Sequence, residues 1–308
     1  MFEPITDLLI VGAGPAGAAC AVQAARDDLD LLLIGDELPG GLVRAAYRLK
    51  NLPGYPEGIA GVEFAELLNR HLTRFGIVYR KTTVLSVAIN QEGNFACELS
   101  NNEQIMARAL VLATGTQPRS YSVPGLAPAN DAGLIDRDIR SLPDRLDHRE
   151  VAIIGGGEAA ADTALSVRSR GGNPRIYVRG SAVRLYSMLR REIEEAGIPV
   201  EIGWDLQNAE LHRGKLRLSW QTHHGPTMTI AHRLMICIGR EPRRELWLGL
   251  RLPRASAMEV ETAVPGLFLA GDLIRGDERY AATAIGDGQR SAMAAAKYLK
   301  RRRDGQWK

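Results

Sequence analysis

The stretch LLIVGAGPAGAACAVQAARDD, residues 8–28, decides the fold. Its unbroken apolar run is typical of a strand buried on both faces of a parallel sheet, and its alanine-rich second half predicts a helix. The glycines between them allow a tight turn (Gly12), backbone approach to a pyrophosphate (Gly14) and close helix-on-strand packing (Gly17). The stretch therefore predicts a dinucleotide-binding unit with phosphates at the helix N-terminus. The residues predicted to line that site are Gly12, Gly14, Pro15, Ala16 and Gly17.

The same order of features returns in VAIIGGGEAAADTALSVRSRGG, residues 151–172. A strand runs into three glycines and a helix, and RIYV at 175–178 supplies the next strand. A single fingerprint of this kind is a weak signal, but two copies in strand-to-helix context predict two nucleotide-binding folds. The residues predicted to line the second site are Gly155, Gly157, Glu158, Ala159 and Ala160.

The residues after the second strand of each fold bear on which nucleotide binds. In the first fold, Asp36 or Glu37 could reach a ribose, and a solvated turn acid is the alternative interpretation. In the second fold, Arg179 and Arg184 follow and no acid does. Because arginine accommodates a 2'-phosphate, the second fold is predicted to prefer NADPH to NADH; arginines paired with surface carboxylates are the alternative.

The remaining segments predict how the two folds are connected. Short alternating runs over 82–112 predict an antiparallel excursion, and a hairpin is predicted to join KLRLSWQT (215–222) to TMTIAHRLMICIGR (227–240). VPGLFLAGDL (264–273) predicts one more strand, and residues 278–303 predict a long closing helix. The simplest architecture is α/β, with two Rossmann-like three-layer domains, the second inserted into the first.

Composition fits a globular protein without a membrane or nucleic-acid partner. The chain has 308 residues, 45% of them hydrophobic, and a net charge of only +3. No basic region precedes the first apolar run, which predicts neither a signal peptide nor a membrane span, and we expect a cytoplasmic protein. The basic tail KRRRDGQWK (300–308) suggests a solvated helix end rather than a docking patch. Cys20, Cys97 and Cys237 lie far apart in apolar patterns that predict buried thiols, and no metal site is predicted.

Several further motifs carry a family resemblance: PGG (39–41), NLPGYPEGIAG (51–61), ATGTQPR (113–119), IGREP (238–242) and the run Arg279, Tyr280, Ala281. With both fingerprints in place, the chain resembles the low-molecular-weight thioredoxin reductase group of flavoproteins nearly end to end. The order of segments divides the chain into a first fold of residues 1–116 and 241–308 and a second fold of residues 117–240. The resemblance implies FAD on the first, NAD(P)H on the second, and a homodimer.

The resemblance also assigns roles to individual residues. Asp272 would hold the ribityl chain of FAD, and Ala281 would lie near the pyrimidine edge of the flavin. For NADPH, the group's pattern of three arginines is matched here by Arg179 and Arg184 only. The further FAD residues that it implies are Gly40, Gly41, Asn51, Gly115 and Tyr280. Asp36, Thr114, Gly239 and Arg279 are further predicted cofactor-binding residues.

The chain departs from this group at its redox-active Cys-x-x-Cys. The corresponding positions are Asp138, Ile139, Arg140 and Ser141, and no other cysteine pair has that spacing. A carboxylate or hydroxyl cannot cycle as a dithiol. The sequence therefore predicts an oxidoreductase that passes electrons from NADPH through FAD directly to an external acceptor.

This mechanism resembles that of the thioredoxin-reductase-like ferredoxin/flavodoxin-NADP reductases. The predicted partner is a ferredoxin, a flavodoxin or an iron-sulfur enzyme. In that branch an aromatic residue near the C-terminus stacks on the flavin; Trp307 is the candidate here, and a free terminal side chain is the alternative. Two other functions stay open: a reductase of a small molecule, quinone or external disulfide, and a non-catalytic nucleotide-binding redox sensor.

Overall fold

The computed structural model describes residues 5–250 and 259–305, which form two compact units. Unit 1 comprises Met1–Arg44, Leu49–Gln117 and Pro242–Lys308, and unit 2 comprises Ala45–Arg48 and Pro118–Glu241. The predicted fold class is confirmed: the chain is α/β with two Rossmann-like units, the second inserted into the first.

The regular elements of the described residues are bounded as follows. The strands are β1 (Thr6–Val11), β2 (Leu31–Gly35), β3 (Tyr79–Lys81), β4 (Val84–Ile89), β5 (Phe95–Leu99), β6 (Gln104–Leu112), β7 (Thr116–Pro118), β8 (Ile135–Asp136), β9 (Glu150–Ile154), β10 (Asn173–Val178), β11 (Val200–Ile202), β12 (Asp205–His212), β13 (Lys215–Thr222), β14 (Gly225–Ala231), β15 (Arg233–Ile236), β16 (Arg240–Pro242) and β17 (Leu267–Leu269). The helices are α1 (Pro15–Arg26), α2 (Gly61–Arg74), α3 (Leu126–Asp131), α4 (Glu158–Ser169), α5 (Ser187–Glu195), α6 (Glu245–Gly249) and α7 (Ala281–Arg303).

Unit 1 is built on a sheet in the order β3-β2-β1-β6-β5-β4, with β17 also paired to β6. The pairs among β3, β2, β1, β6 and β17 are parallel, and β4, β5 and β6 form the predicted antiparallel excursion. The apolar run of β1 explains its central place, because Leu8, Leu9 and Ile10 are fully buried between the layers. The first fingerprint follows directly after the carboxyl end of β1, and α1 begins there.

Helices α1 and α7 pack closely because both expose small residues to each other. A Cβ atom built on Gly288 of α7 would lie 2.0 Å from the carbonyl oxygen of Ala16 in the first turn of α1. A real Cβ atom cannot come this close to an oxygen, so only glycine fits at this position. The two helix backbones therefore come into direct contact. Ala284, Ala292 and Ala295 of α7 belong to the same buried core as Ala18 and Ala21 of α1.

Unit 2 contains a parallel sheet in the order β11-β10-β9-β15-β8 and a separate antiparallel sheet in the order β12-β13-β14. Trp220 of β13 fills the space between them: it is buried and stacks on Tyr177 of β10 with ring centroids 4.1 Å apart. Its indole N–H donates to the Thr229 hydroxyl at 2.8 Å, which satisfies the buried donor. The connecting strands β7 and β16 pair with each other.

Two details of the predicted elements were wrong. Only residues 225–231 return along β13, and the following residues form β15, which leaves the hairpin and pairs with β9. The physical reason is burial, because Leu234, Met235 and Ile236 are all buried and need a sheet covered on both faces. The closing helix also starts later than predicted, at Ala281, because the backbone of Tyr280 is extended (φ −119°, ψ 151°).

None of the described helices has the length and apolar character needed to span a bilayer.

The contact between α1 and α7 predicts a position-specific response to one added methyl group. Gly288→Ala should force α7 away from Ala16 and lower the free energy of unfolding by about 1–3 kcal/mol, as overpacked cores do. Gly286→Ala on the same helix is the matched control, because a Cβ atom there meets nothing within 4 Å. It should be neutral or stabilise by about 0.5–1 kcal/mol. Thermal denaturation of both variants checks this, and equal melting temperatures would contradict the contact.

Candidate functional site

The first fingerprint has the geometry of a phosphate-binding turn. Gly12 has φ +110°, and a Cβ atom on it would lie 2.1 Å from the Ala113 carbonyl oxygen. A Cβ atom on Gly17 would lie 1.7 Å from the Gly12 carbonyl oxygen, so α1 sits directly on the turn. Gly14, by contrast, has nothing within 4 Å of a built Cβ. The turn therefore leaves open space in front of the N-terminus of α1, where Pro15 and Ala16 form the first turn.

Several predicted FAD residues surround this turn. The Gly40 amide donates to the Ala13 carbonyl at 2.8 Å, and a Cβ on Gly41 would be 3.0 Å from the Cα of Gly14. On the other side, Gly271 precedes the half-buried Asp272, and its built Cβ would be 2.8 Å from the Cβ of Ala16. The structure thus brings Gly40, Gly41 and Asp272 to the first turn of α1.

Asp36 lies just beyond β2 and is bound by an arginine that the sequence did not single out. Its carboxylate is 2.9 Å from the Arg243 guanidinium, and both side chains are about half exposed. The backbone of Arg243 is fixed in turn: its carbonyl accepts from the Thr114 hydroxyl at 2.9 Å, and its amide donates to the Gly115 carbonyl at 3.0 Å. Asp36, Thr114 and Gly115 are therefore joined through Arg243.

The other predicted FAD residues are more widely placed. Asn51 is exposed in the loop before α2, whereas Tyr280 caps α7 and Ala281 begins it. Arg279 donates through Nε to the Arg275 carbonyl at 3.0 Å. Trp307 lies outside the described residues.

The second fingerprint repeats the turn with one substitution. Gly155 has φ +141°, and its built Cβ would be 2.1 Å from the Cys237 carbonyl oxygen, while Gly157 faces open space. Glu158 and Ala159 are exposed at the start of α4, and Ala160 is buried at the position where the first copy has Gly17. Unit 2 therefore has a second open helix N-terminus that fits a pyrophosphate.

Arg179 and Arg184 lie on the side of this turn where a nucleotide ribose is expected. Arg179 directly follows β10, and the Arg184 amide donates to the Gly156 carbonyl at 2.7 Å. Both side chains are exposed, and within the described parts of the chain neither guanidinium forms an ion pair. Gly239 is also exposed, and its carbonyl accepts from the Arg119 amide at 3.1 Å.

Sequence reasoning missed two neighbours of Arg179. The pKa of Tyr121 is raised by burial and by the charge of Asp205, while Arg179 acts in the opposite direction. Asp205 begins β12, and its carboxylate accepts from the Gln207 side chain at 3.1 Å. No local pattern could have found these residues, because β12 comes to the end of β10 only through the fold.

The positions that correspond to a Cys-x-x-Cys form a charged turn. Asp138 accepts hydrogen bonds from the backbone and side chain of Arg140, and the Ser141 hydroxyl donates to Asp136. Asp136 is buried and pairs with Arg233 at 2.9 Å. Burial acts to raise the pKa of Asp138, but the hydrogen bonds and charge of Arg140 outweigh it and lower that pKa below its usual range.

All three cysteines are free thiols, and none lies near disulfide distance of another. Cys20 and Cys97 are buried as predicted, whereas Cys237 is only half-buried because it follows the end of β15. Burial raises the pKa of Cys20, and raises that of Cys97 to about 12. Burial raises the pKa of Cys237 to about 11, helped by the charges of Asp162 and Asp138 and opposed by the hydrogen bond between its sulfur and the Thr163 hydroxyl.

Comparison with known proteins identifies the family. The family model for pyridine nucleotide-disulphide oxidoreductases matches residues 6–288. The chain belongs to that family. It is 29% identical over 319 residues to the mitochondrial thioredoxin reductase 1 of Arabidopsis thaliana, covering 96% of this chain and 84% of the relative. It is 27% identical over 316 residues to the 34.2 kDa protein in rubredoxin operon of Clostridium pasteurianum, covering 96% and 98%.

A solved structure gives the same fold. The thioredoxin reductase of Lactococcus lactis superposes with a TM-score of 0.87 over 96% of this chain and 99% of that one, at 23% identity. The family model and the curated relatives together confirm the resemblance to low-molecular-weight thioredoxin reductases. The family binds FAD and NAD(P)H, and thioredoxin-reductase-like enzymes are typically homodimers. The two open glycine turns fit the pyrophosphates of those cofactors. Within residues 5–250 and 259–305, no group of His, Cys, Asp or Glu could hold a metal ion.

The raised thiol pKa values predict slow thiol chemistry in the folded protein. At pH 8 a thiol with a pKa of about 11 is ionised in only about one molecule in a thousand, and the thiolate is the reactive form. An aromatic disulfide reagent should therefore react with less than one thiol per folded chain and with three per unfolded chain. Reactivity should increase only as pH rises towards these pKa values. Rapid reaction of one full thiol in the folded chain at pH 8 would contradict this.

Proposed function

We propose that the chain is an FAD-containing NADPH oxidoreductase that passes electrons from the flavin directly to an external acceptor, without an internal dithiol. The acceptor is proposed to be a one-electron carrier such as a ferredoxin or flavodoxin, or an iron-sulfur enzyme. In kind, the protein would be a thioredoxin-reductase-like ferredoxin/flavodoxin-NADP reductase. Its location in the cytoplasm stays a prediction, and a homodimer is proposed from the family, which light scattering would check.

The observation that carries the proposal is the charged turn around Asp138 and Ser141. An attacking thiolate is required to form or break a disulfide, and neither an ionised carboxylate nor a serine hydroxyl can replace it. Asp138 is held by Arg140, and Ser141 is held by Asp136, so both side chains have structural partners. The three thiols of the chain are far from ionisation at neutral pH and none is paired. The other route for electrons is directly from the flavin.

FAD is assigned to unit 1. The turn at Gly12 and Gly14 and the N-terminus of α1 would hold the pyrophosphate, and Asp272 would hold the ribityl chain. Asp36 and Arg243 would meet the adenosine end, and the backbone at Tyr280 and Ala281 would meet the pyrimidine edge. When bound, FAD accepts a hydride and releases electrons singly or in pairs, so that the protein supplies position and electrostatics.

NADPH is assigned to unit 2. Its pyrophosphate would sit at Gly155, Gly157 and the N-terminus of α4. Arg179 and Arg184 would bind the 2'-phosphate, which is supported by their exposure and by the absence of an ion pair for either within the described residues. Guanidinium and phosphate form forked hydrogen bonds between two opposite charges, whereas the bare hydroxyl of NADH offers one uncharged acceptor oxygen.

The choice of a one-electron carrier is supported by one relative. The Clostridium pasteurianum protein, which is similar to this chain over nearly its whole length, is named for its place in a rubredoxin operon. Direct release from a flavin suits such a carrier because no two-electron disulfide exchange intervenes.

One test of the proposed function replaces the cysteines. A variant with Cys20→Ala, Cys97→Ala and Cys237→Ser should bleach its flavin with NADPH and reduce ferredoxin or ferricyanide at a rate within about twofold of the unchanged protein, because no thiol takes part. Thioredoxin should be a poor acceptor for both proteins.

Three outcomes would contradict this proposal. Robust thioredoxin reduction that is lost with one cysteine would require a thiol relay. Rapid turnover with quinones or small disulfides, but not with protein carriers, would favour a small-molecule reductase. No bleaching by NADPH would favour a sensor. If the triple variant does not fold, the three single variants make the same test.

Another test of the proposed function replaces the arginines assigned to the 2'-phosphate. Arg179→Ala or Arg184→Ala should raise KM for NADPH about tenfold, equivalent to about 1.4 kcal/mol, and leave KM for NADH nearly unchanged. Arg145→Ala is the matched control, because Arg145 is an exposed arginine of unit 2 whose side chain is 87% accessible, and it lies before the opposite end of β9. Equal use of NADPH and NADH by the unchanged enzyme would show that the 2'-phosphate is not recognised.

A further inference from the structure

Arg275 and Asp287 form a buried ion pair in unit 1 that the site described above does not use. Nε of Arg275 donates to Oδ2 of Asp287 at 2.8 Å, and Nη2 donates to Oδ1, so that the two side chains meet as a fork. Their side chains are only 8% and 2% exposed. Charges are rarely buried to this extent unless they are paired and hydrogen-bonded.

The pair joins two segments that are separate in the chain. Arg275 lies two residues beyond the short helical turn Gly271–Leu273, and Asp287 lies in the second turn of α7. The Nε of Arg279 also donates to the Arg275 carbonyl at 3.0 Å. The connection that leads to Tyr280 and Ala281 is therefore held at Arg275, through its side chain and its backbone.

Both segments rest on the same part of the first fingerprint. A Cβ on Gly271 would meet the Cβ of Ala16, and a Cβ on Gly288, next to Asp287, would meet the Ala16 carbonyl oxygen. The ion pair thus joins the two segments that carry the residues assigned to FAD on this side, Asp272 and the backbone at Tyr280 and Ala281. A change in the pair moves these groups relative to α1 without removing any of them.

We propose that Arg275 and Asp287 are a positioning pair for the flavin: their forked ion pair fixes the segment with Asp272 against the start of α7, so that both meet one FAD molecule. Neither side chain contacts the cofactor in this proposal. It rests on the proposed assignment of FAD to unit 1.

The fork, rather than charge alone, is what positions the two segments. A lysine has one nitrogen and cannot reproduce the two parallel N–H···O bonds of the fork, and an asparagine replaces one acceptor oxygen with an NH2 group that would face a guanidinium donor. Arg275→Lys and Asp287→Asn should each raise the Kd for FAD at least tenfold and shift or broaden the visible absorption band of the bound flavin. FAD fluorescence titration of the apoprotein and absorption spectra of the reconstituted protein measure both effects.

Ser291→Ala is the control for a merely structural role. Ser291 is fully buried on α7, one turn beyond Asp287, and its hydroxyl donates to the Leu269 carbonyl at 3.0 Å. Losing this bond should lower the melting temperature and leave FAD affinity and spectrum unchanged. The double variant Arg275→Asp with Asp287→Arg restores opposite charges and should recover part of the FAD affinity.

The outcomes separate this inference from the proposed function. If the unchanged chain binds no FAD, both are overturned. If it binds FAD and the Arg275 and Asp287 variants bind it as tightly, with the same spectrum and only a lower melting temperature, the pair is structural and this inference alone is overturned. Should Asp287→Asn fail to fold, Arg275→Lys, which retains the charge, decides between the two results.

Discussion

On two sides, the first turn of α1 touches neighbouring backbone directly, with no side chain in between. The packing of unit 1 depends on these two contacts. Gly17 lies on the carbonyl of Gly12, and Gly288 lies on the carbonyl of Ala16. A methyl group at Gly17 would push α1 away from the turn, and one at Gly288 would push α7 away from α1, because a Cβ would come within 2.0 Å of a backbone oxygen. The close approach keeps the N-terminus of α1 facing open space at Gly14, and it brings α7 and the Gly271 turn to the same point. Binding geometry and core packing are thus set by one arrangement.

Unit 2 uses the same constraint with a different consequence. Gly155 lies against the carbonyl of Cys237, so the residue after β15 is fixed at the nucleotide turn by its backbone. Its sulfur then lies 3.6 Å from the Thr163 hydroxyl on α4. Packing fixes the position of this thiol, and burial disfavours its thiolate form. The position of Cys237 follows from the fold of the turn, and redox chemistry is not needed to explain it.

Local patterns predicted the parts of the fold that depend on neighbouring residues. Strands β1 and β9 form where their apolar runs predicted them, and the turns that follow match the glycine spacing. Each of these signals lies within about ten residues of sequence. The pairing of β15 with β9 was missed, because residues 227–240 read as one continuous alternating segment although burial divides them. The partners of functional residues were missed for a related reason: Arg243 is 207 residues from Asp36. No periodicity spans such a distance.

The charged turn around Asp138 and Ser141, with its partners Asp136 and Arg233, affects how the protein would select its electron acceptor. A dithiol selects its partner by covalent exchange, so the partner must itself carry a disulfide. A turn whose carboxylates are neutralised by arginines has no such requirement and presents no reactive group. Under the proposed function, the acceptor must come close enough to the flavin for direct transfer, and specificity then depends on shape and charge at the exposed flavin. Such recognition acts mainly on association and docking geometry, which is consistent with transient complexes between a reductase and a small carrier.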